Sequence, residues 1–399
     1  MTTRRTFLAL TGVAGLALAG CRDRATTAAA PLTDVLIAET GGGLVRVSPA
    51  AEQAYGTAAA LSVDGAWLAV VREKSLSLIE TATGAQTAAI GVAAGWLPRV
   101  ISPDGRACAL TRTPAAVIPS GRARTPLTVV TDGNAREYDL PGTIEPDAFS
   151  TAADGLFVLD WLPAGNPGHY RVRRLDLASG RLEPLLTRNK VPVPNGTEEE
   201  MRGEGRQAVL TRGGQLLLTL YTHQPGHQHT RDLISGRPGN AHAFVHVLNL
   251  AEGWAYCLDL PHPFGEGPAQ GHAIAADTWG AAVVDSTSGK IAYASTESLA
   301  VDRVVSAPLP AGTTTALAIG PDRRLFAGAG DRIIVLNRES DAVEATWPVP
   351  GQVRGLGLSR DGTRLYAGTA GAVHWFSAAD GAHLGSRPVP DPADLRSVA

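Results

Sequence analysis

Cysteine, lysine and methionine are scarce in this chain of 399 residues: Cys21, Cys108 and Cys257, Lys74, Lys190 and Lys290, and two methionines are all it holds. So few thiols exclude a small scaffold stapled by disulfides. Charged side chains make up only 18%, the formal net charge is −3, and no block of one sign is long enough to form a tail. That excludes a basic nucleic-acid binder and a largely disordered polypeptide. Forty-five glycines and 27 prolines interrupt the chain at short intervals, which excludes a long coiled coil. Motif chemistry is sparse as well. There is no phosphate-cradling G-x-x-x-x-G-K-[ST], no G-x-S-x-G nucleophile elbow, no H-E-x-x-H and no haem-type C-x-x-C-H.

What is present begins with an address. Residues 6–19 are 14 uncharged, mainly apolar residues behind Arg4 and Arg5. A helix of that length covers roughly 21 Å, short of the ~30 Å hydrocarbon core, so the pattern predicts a cleaved export signal rather than a membrane span. Arg4-Arg5-Thr6-Phe7-Leu8 resembles the twin-arginine signal that exports folded bacterial proteins, and Leu18-Ala19-Gly20-Cys21 resembles a lipobox. The resemblance implies a signal peptide over 1–20, lipidation of Cys21 and a polar tether over 21–33. It places the globular part at the cell membrane, lipid-anchored on the extracytoplasmic side. Loss of Arg4 and Arg5 takes the net charge from −3 to −5, so a basic patch is not the means of attachment. The excess of Arg over Lys points to a high-GC bacterial genome.

From residue 34 onward one pattern returns: a short apolar strand, an Asp-Gly turn, a second apolar strand. Clear copies are LSVDGAWLAV (61–70), VISPDGRACAL (100–110), STAADGLFVL (150–159), AIGPDRRLFAG (318–328) and GLSRDGTRLYAG (357–368); VLTRGGQLLLTL (209–220) and IAADTWGAAVV (274–284) are looser. Asp-Gly suits a tight hairpin because Gly takes positive φ freely and Asp caps the turn. The turn positions Asp64, Asp104, Asp154, Gly213, Asp277, Asp322 and Asp361 are 40, 50, 59, 64, 45 and 39 residues apart. That is the period of a four-stranded propeller blade with some long loops. The pattern resembles the YVTN and WD-like repeat propellers, with RLFAGAGDRIIVLNRESDAVEATW (324–347) the closest copy.

The expected fold is therefore all-β, a single propeller over 34–399. Seven complete units begin near 57, 97, 146, 206, 270, 313 and 352. DVLIAET (34–40) and LVRVSP (44–49) match second and third strands without an inner one, and residues 394–399 look like an inner strand whose turn is missing. Pairing the two ends would close the ring and remove two sheet edges, so eight blades are favoured over seven.

Cys108 then falls in the second strand of one unit and Cys257 in the last strand of another, with a blade between. A bridge needs Cα atoms within about 7 Å, so both are expected free and buried. The chain spends its extra length at 112–126, 161–169, 187–206, 222–241 and 261–271, all either links between second and third strands or crossings between blades. These share one face, where recognition normally resides. Seven of the ten histidines lie between 223 and 272. His223, His227, His229 and His242 form the candidate metal set, because neutral imidazoles ligate transition metals. Inside the strand AFVHVLNL, His246 is expected to pack. Glu198-Glu199-Glu200 is read as a solvated acidic loop.

The leading reading is a non-enzymatic binding or scaffolding module presenting this face to a protein, a glycan or a small ligand, with no nucleic-acid partner. The competing reading is an exported enzyme, metal- or quinone-dependent, with its site at the mouth of the propeller channel. A transition metal is the cofactor indicated; Asp285-Ser-Thr-Ser-Gly-Lys290 resembles the D-x-x-T-G-K stretch of quinone-dependent propellers, in a single copy.

Overall fold

The structure is a computed structural model that describes residues 30–278, 280–311, 314–391 and 394–399. The expected signal peptide, Cys21 and most of the tether lie outside the described residues. Among those described, no helix is long and apolar enough to cross a membrane.

Eight four-stranded antiparallel sheets form the eight blades of a propeller. Blade I joins the two ends of the chain, and blades II to VIII follow as 59–91, 97–141, 143–184, 207–259, 272–306, 315–348 and 356–388. The repeated serine of the inner hairpins explains their geometry. Ser62, Ser102, Ser150 and Ser359 each donate from Oγ to the turn aspartate, at 2.5, 2.6, 2.7 and 2.6 Å. Each Oγ also accepts the N–H of the residue that opens the second strand: Trp67, Ala107, Gly155 and Arg364. One hydroxyl thus closes the turn and starts the next strand. Gly105 is needed twice over: its φ is +70°, and a Cβ there would lie 2.4 Å from the Trp67 ring of the preceding blade.

Among the described residues there is no single central core. Alternate residues of each second strand point to opposite faces, so Leu68 and Val70 pack toward blade I while Ala69 packs toward blade III. Each neighbouring pair of blades encloses its own apolar cluster, eight in all among the described residues. Burial on both faces is why these strands read as near-continuous apolar runs.

The ring closes as its ends suggest. Asp394–Val398 is the inner strand of blade I, beside Leu36–Thr40, Gly43–Val47 and an outer strand Glu52–Gly56 that the repeat pattern does not reveal. Leu36 pairs with Val398, Ala38 with Leu395 and Glu39 with Asp394. Leu395 is buried among Leu36, Val45, Tyr366 and Trp375.

Blade connectivity puts the long segments on one face, and they touch one another there. Arg122 N donates to Ala164 O (3.0 Å), and Arg202 N to Gln224 Oε1 (2.8 Å). Segment 222–241 is not loop throughout: it contains the helix Thr230–Ser235, ended by Gly236 at φ 66°. The D-x-x-T-G-K-like stretch is a hairpin turn, with buried Asp285 accepting from Thr287 N (2.9 Å) and Ser288 Oγ (2.6 Å).

Candidate ligand site between blades IV and V

Blade V supplies the floor of the site. Its two outer strands, Phe244–Asn249 and Ala255–Asp259, pair Phe244 with Asp259, His246 with Cys257 and Leu248 with Ala255. Directly opposed residues share a face of the sheet. Phe244, Leu248 and Cys257 pack in the cluster shared with Tyr170 and Val172 of blade IV, so His246 and Asp259 face the same gap.

The crossing from blade IV to blade V brings in carboxylates. Met201 and Tyr170 exchange backbone hydrogen bonds of 2.9 Å, holding the crossing alongside the strand His169–Asp176. The three consecutive glutamates then separate. Glu198 takes two hydrogen bonds of 2.8 Å from Arg173 and one of 3.2 Å from Arg171, and Glu200 lies 3.0 Å from His169. Glu199 turns inward, its side chain only 13% exposed. The expectation of a solvated acidic loop is thus corrected: the basic row on blade IV takes Glu198, and the gap between blades takes Glu199.

The 222–241 segment covers the gap. Gln224 clamps it to the crossing through Arg202, and the Phe244 ring carries His227 stacked at 4.4 Å and His229 edge-on at 4.8 Å. Glu199 Oε2 is 3.0 Å from His229 Nδ1 and 3.4 Å from His227 Nε2. Cys257 Sγ lies 3.4 Å from both oxygens of Glu199, and His246 Nε2 is 3.9 Å from Oε1. The far side of His229 is held by Asp259, 2.5 Å from Nε2, and Asp259 is held by Arg231.

Electrostatics follow from this packing. Burial pushes the Glu199 carboxyl up, but the hydrogen bonds from His227 and His229 outweigh it and hold the group well below the usual carboxylate range. His229 is raised to about 9: burial opposes its charge, and Asp259 and Glu199 on either side more than compensate. Burial lowers His246. The Cys257 thiol is pushed well up by burial and by the neighbouring Glu199 charge.

Above this floor opens a cavity of about 520 Å³. Val172, Leu185 and Val193 form its apolar wall, and Ile234 and Val191 stand at the rim, 52% and 57% exposed. Tyr256 lies under two guanidinium groups, Arg188 at 5.3 Å and Arg231 at 5.6 Å from the ring centre. The cavity sits between the outer strands of two blades, beneath the long segments. The mouth of the central channel, where the enzyme reading puts its site, is elsewhere.

Of the four histidines singled out in the sequence, two come together here. His223 instead lies 2.8 Å from Thr222 Oγ1, its ring 6.5 Å from that of His272, and His242 is exposed. The set His223, His227, His229 and His242 does not share a point, because residues 223 and 242 occupy the two ends of the segment while 227 and 229 reach over the gap. Glu199, His246, Cys257 and Asp259 complete the cluster, and the sequence reading missed their role. For His246, Cys257 and Asp259 the only signal is alternation, Phe-x-His in one strand and Cys-x-Asp in the next, registered opposite each other; Glu199 carries none. Cys108 fits its expected inert part, a buried free thiol pushed up to about 12 by burial.

No family model matches the chain, and no curated protein does. Solved structures do. A dihydro-heme d1 dehydrogenase, NirN, in complex with DHE is 13% identical over 93% of this chain and 75% of that one, with a TM-score of 0.54. AztD from Citrobacter koseri is 10% identical over 92% of this chain and 97% of its own, at a TM-score of 0.55, and its apo structure gives 0.53. At such identities the likeness is one of fold.

Proposed function

We propose that this chain is a membrane-anchored extracytoplasmic binding module. Its ligand is a compact molecule with an apolar body and an acidic group, received between blades IV and V. The observation that carries the reading is the cavity itself: about 520 Å³, apolar on its walls, with two arginines over Tyr256 and four polar side chains at its floor. Pockets of this size and make-up on a rigid scaffold are the usual form of a small-molecule site. Arginine suits the acidic group because its fork of donors matches a carboxylate. The likeness to a propeller bound to a heme-related ligand is compatible with such a role and is not the ground for it. Arg4, Arg5 and Cys21 supply the address and the anchor.

The test uses anilinonaphthalene sulfonate, an apolar anion whose fluorescence rises on leaving water, titrated into the full chain. Saturable binding at one site per chain is expected. Val191→Asp and Ile234→Asp, at the exposed rim, are expected to weaken it about tenfold each, equivalent to ~1.4 kcal/mol. Absent binding, or binding indifferent to both substitutions, defeats the reading.

A further inference from the structure

We infer that the floor of this cavity is a site for a zinc-class divalent transition metal, held by Glu199, His229, Cys257 and His246. This goes beyond the ligand reading, which treats the same floor only as polar lining and is tested at the rim. Three ligand atoms, one each from Glu199, His229 and Cys257, lie within 4.8 Å of one another. Tetrahedral coordination with bonds of about 2.0–2.3 Å separates ligand atoms by about 3.3–3.8 Å. The spacings measured from Glu199 bracket that range: 3.0 Å from Oε2 to His229, 3.4 Å from Oε1 to Cys257 and 3.9 Å from Oε1 to His246.

Two independent features point to an ion rather than to a hydrogen-bond cluster sufficient in itself. His246 is 2% exposed, and among the described residues its Nε2 has no hydrogen-bond partner although it is aimed at the Glu199 carboxylate. A buried polar atom left unpaired is costly, and a metal bond would satisfy it. Second, the outer arrangement that orients metal-bound histidines is already built. With Nδ1 of His229 turned to the centre, Nε2 faces Asp259, which Arg231 holds in turn. A carboxylate behind the imidazole sets its tautomer and raises its basicity as a ligand. His227 remains beside the same glutamate oxygen and steadies it.

The donor set selects the ion. A thiolate with two imidazoles and one carboxylate suits Zn²⁺ and excludes the oxygen-preferring Mg²⁺ and Ca²⁺. On binding, Cys257 gives up its thiol proton and His229 the proton on Nδ1, both to solvent, while the Nε2 proton stays shared with Asp259.

The experiment uses the full chain, purified without a polyhistidine tag and stripped with a chelator. Zn²⁺ is titrated by calorimetry, and Co²⁺ is added in parallel as an optical probe. One equivalent of zinc is expected, with a thiolate-to-cobalt charge-transfer band and the visible bands of a tetrahedral ion; Mg²⁺ is expected not to bind. Cys257→Ser should abolish the charge-transfer band, and His229→Ala should weaken zinc at least 100-fold. Asp259→Asn, which only positions His229, should weaken it 10- to 100-fold, and His262→Ala, at an exposed histidine outside the site, should leave it unchanged. Wild-type protein that takes up no stoichiometric zinc, or uptake indifferent to Cys257→Ser and His229→Ala, overturns the inference. The cobalt spectrum of the unsubstituted chain decides the matter even where a variant fails to fold. Zinc uptake absent with dye binding retained overturns the metal site alone; dye binding absent with zinc retained overturns the ligand reading alone.

Discussion

Closure of the ring by the C-terminal strand can be tested at one residue. Leu395 is 6% exposed and packs on Leu36 and Val45 of its own blade and on Tyr366 and Trp375 of blade VIII. Its backbone N–H also bonds Arg354 O at 2.8 Å, so the strand is tied to the neighbouring blade as well as to Leu36–Thr40. Replacing a buried leucine by alanine loses the transfer energy of the removed carbons and leaves a partly collapsed cavity, about 3 kcal/mol in all. A propeller of about 370 residues unfolds with an entropy near 0.8 kcal/mol per kelvin, on the basis of ~2.1 cal/mol/K per residue. Leu395→Ala is therefore expected to lower the melting temperature by about 4 °C in differential scanning calorimetry. Val343→Ala, 41% exposed on an outer strand, serves as the control and should move it by less than about 1 °C. Equal shifts for the two would refute the argument that residues 394–398 complete a blade. A shift for Leu395→Ala alone would support it.

Two further outcomes are expected. Asp154 and Asp361 are held below the ordinary carboxylate range, first by the hydroxyls of Ser150 and Ser359 and then by Arg174 and Thr363 respectively, with Asp361 at about 2. A carboxylate depressed in the folded state stabilises above its unfolded value near 3.9, and that contribution is lost as pH falls through the folded value. The melting-temperature gap between the parent and an Asp154→Asn/Asp361→Asn variant should accordingly close between about pH 4 and about pH 2; parallel curves would contradict this role for the turn aspartates. Cys21→Ala should move the protein from the membrane fraction to the soluble fraction of its host, and an unchanged distribution would remove the lipid-anchor proposal.

Much of the fold was legible because it rests on short-range chemistry repeated many times. The Asp-Gly turns closed where the sequence placed them, since a serine hydroxyl and a carboxylate two to four residues apart need no distant partner. The count of eight followed from ends that each lacked what the other held. Gly213-Gly214 marked a turn without the aspartate: Gly214 takes φ 68°, and Thr211 Oγ1 accepts the Leu216 N–H in place of the repeated serine. The outer strand Glu52–Gly56 escaped notice because only Tyr55 of its five residues is buried, which leaves no apolar run or alternation to mark it.

The candidate site is a different case. A wheel of eight sheets, two free cysteines and the gathering of long segments on one face are all consequences of alternation, turn residues and spacing, and can be read along the chain. That Glu199 leaves its two acidic neighbours, that His227 and His229 part from His223 and His242, and that His246 stands opposite Cys257 emerge only from the folded chain. Those outcomes depend on interblade packing and strand register between residues up to 58 positions apart, from Glu199 to Cys257. Local pattern says which side of a strand a residue takes, but which other chain segment waits on that side is settled when two blades press together and exclude water from the gap between them.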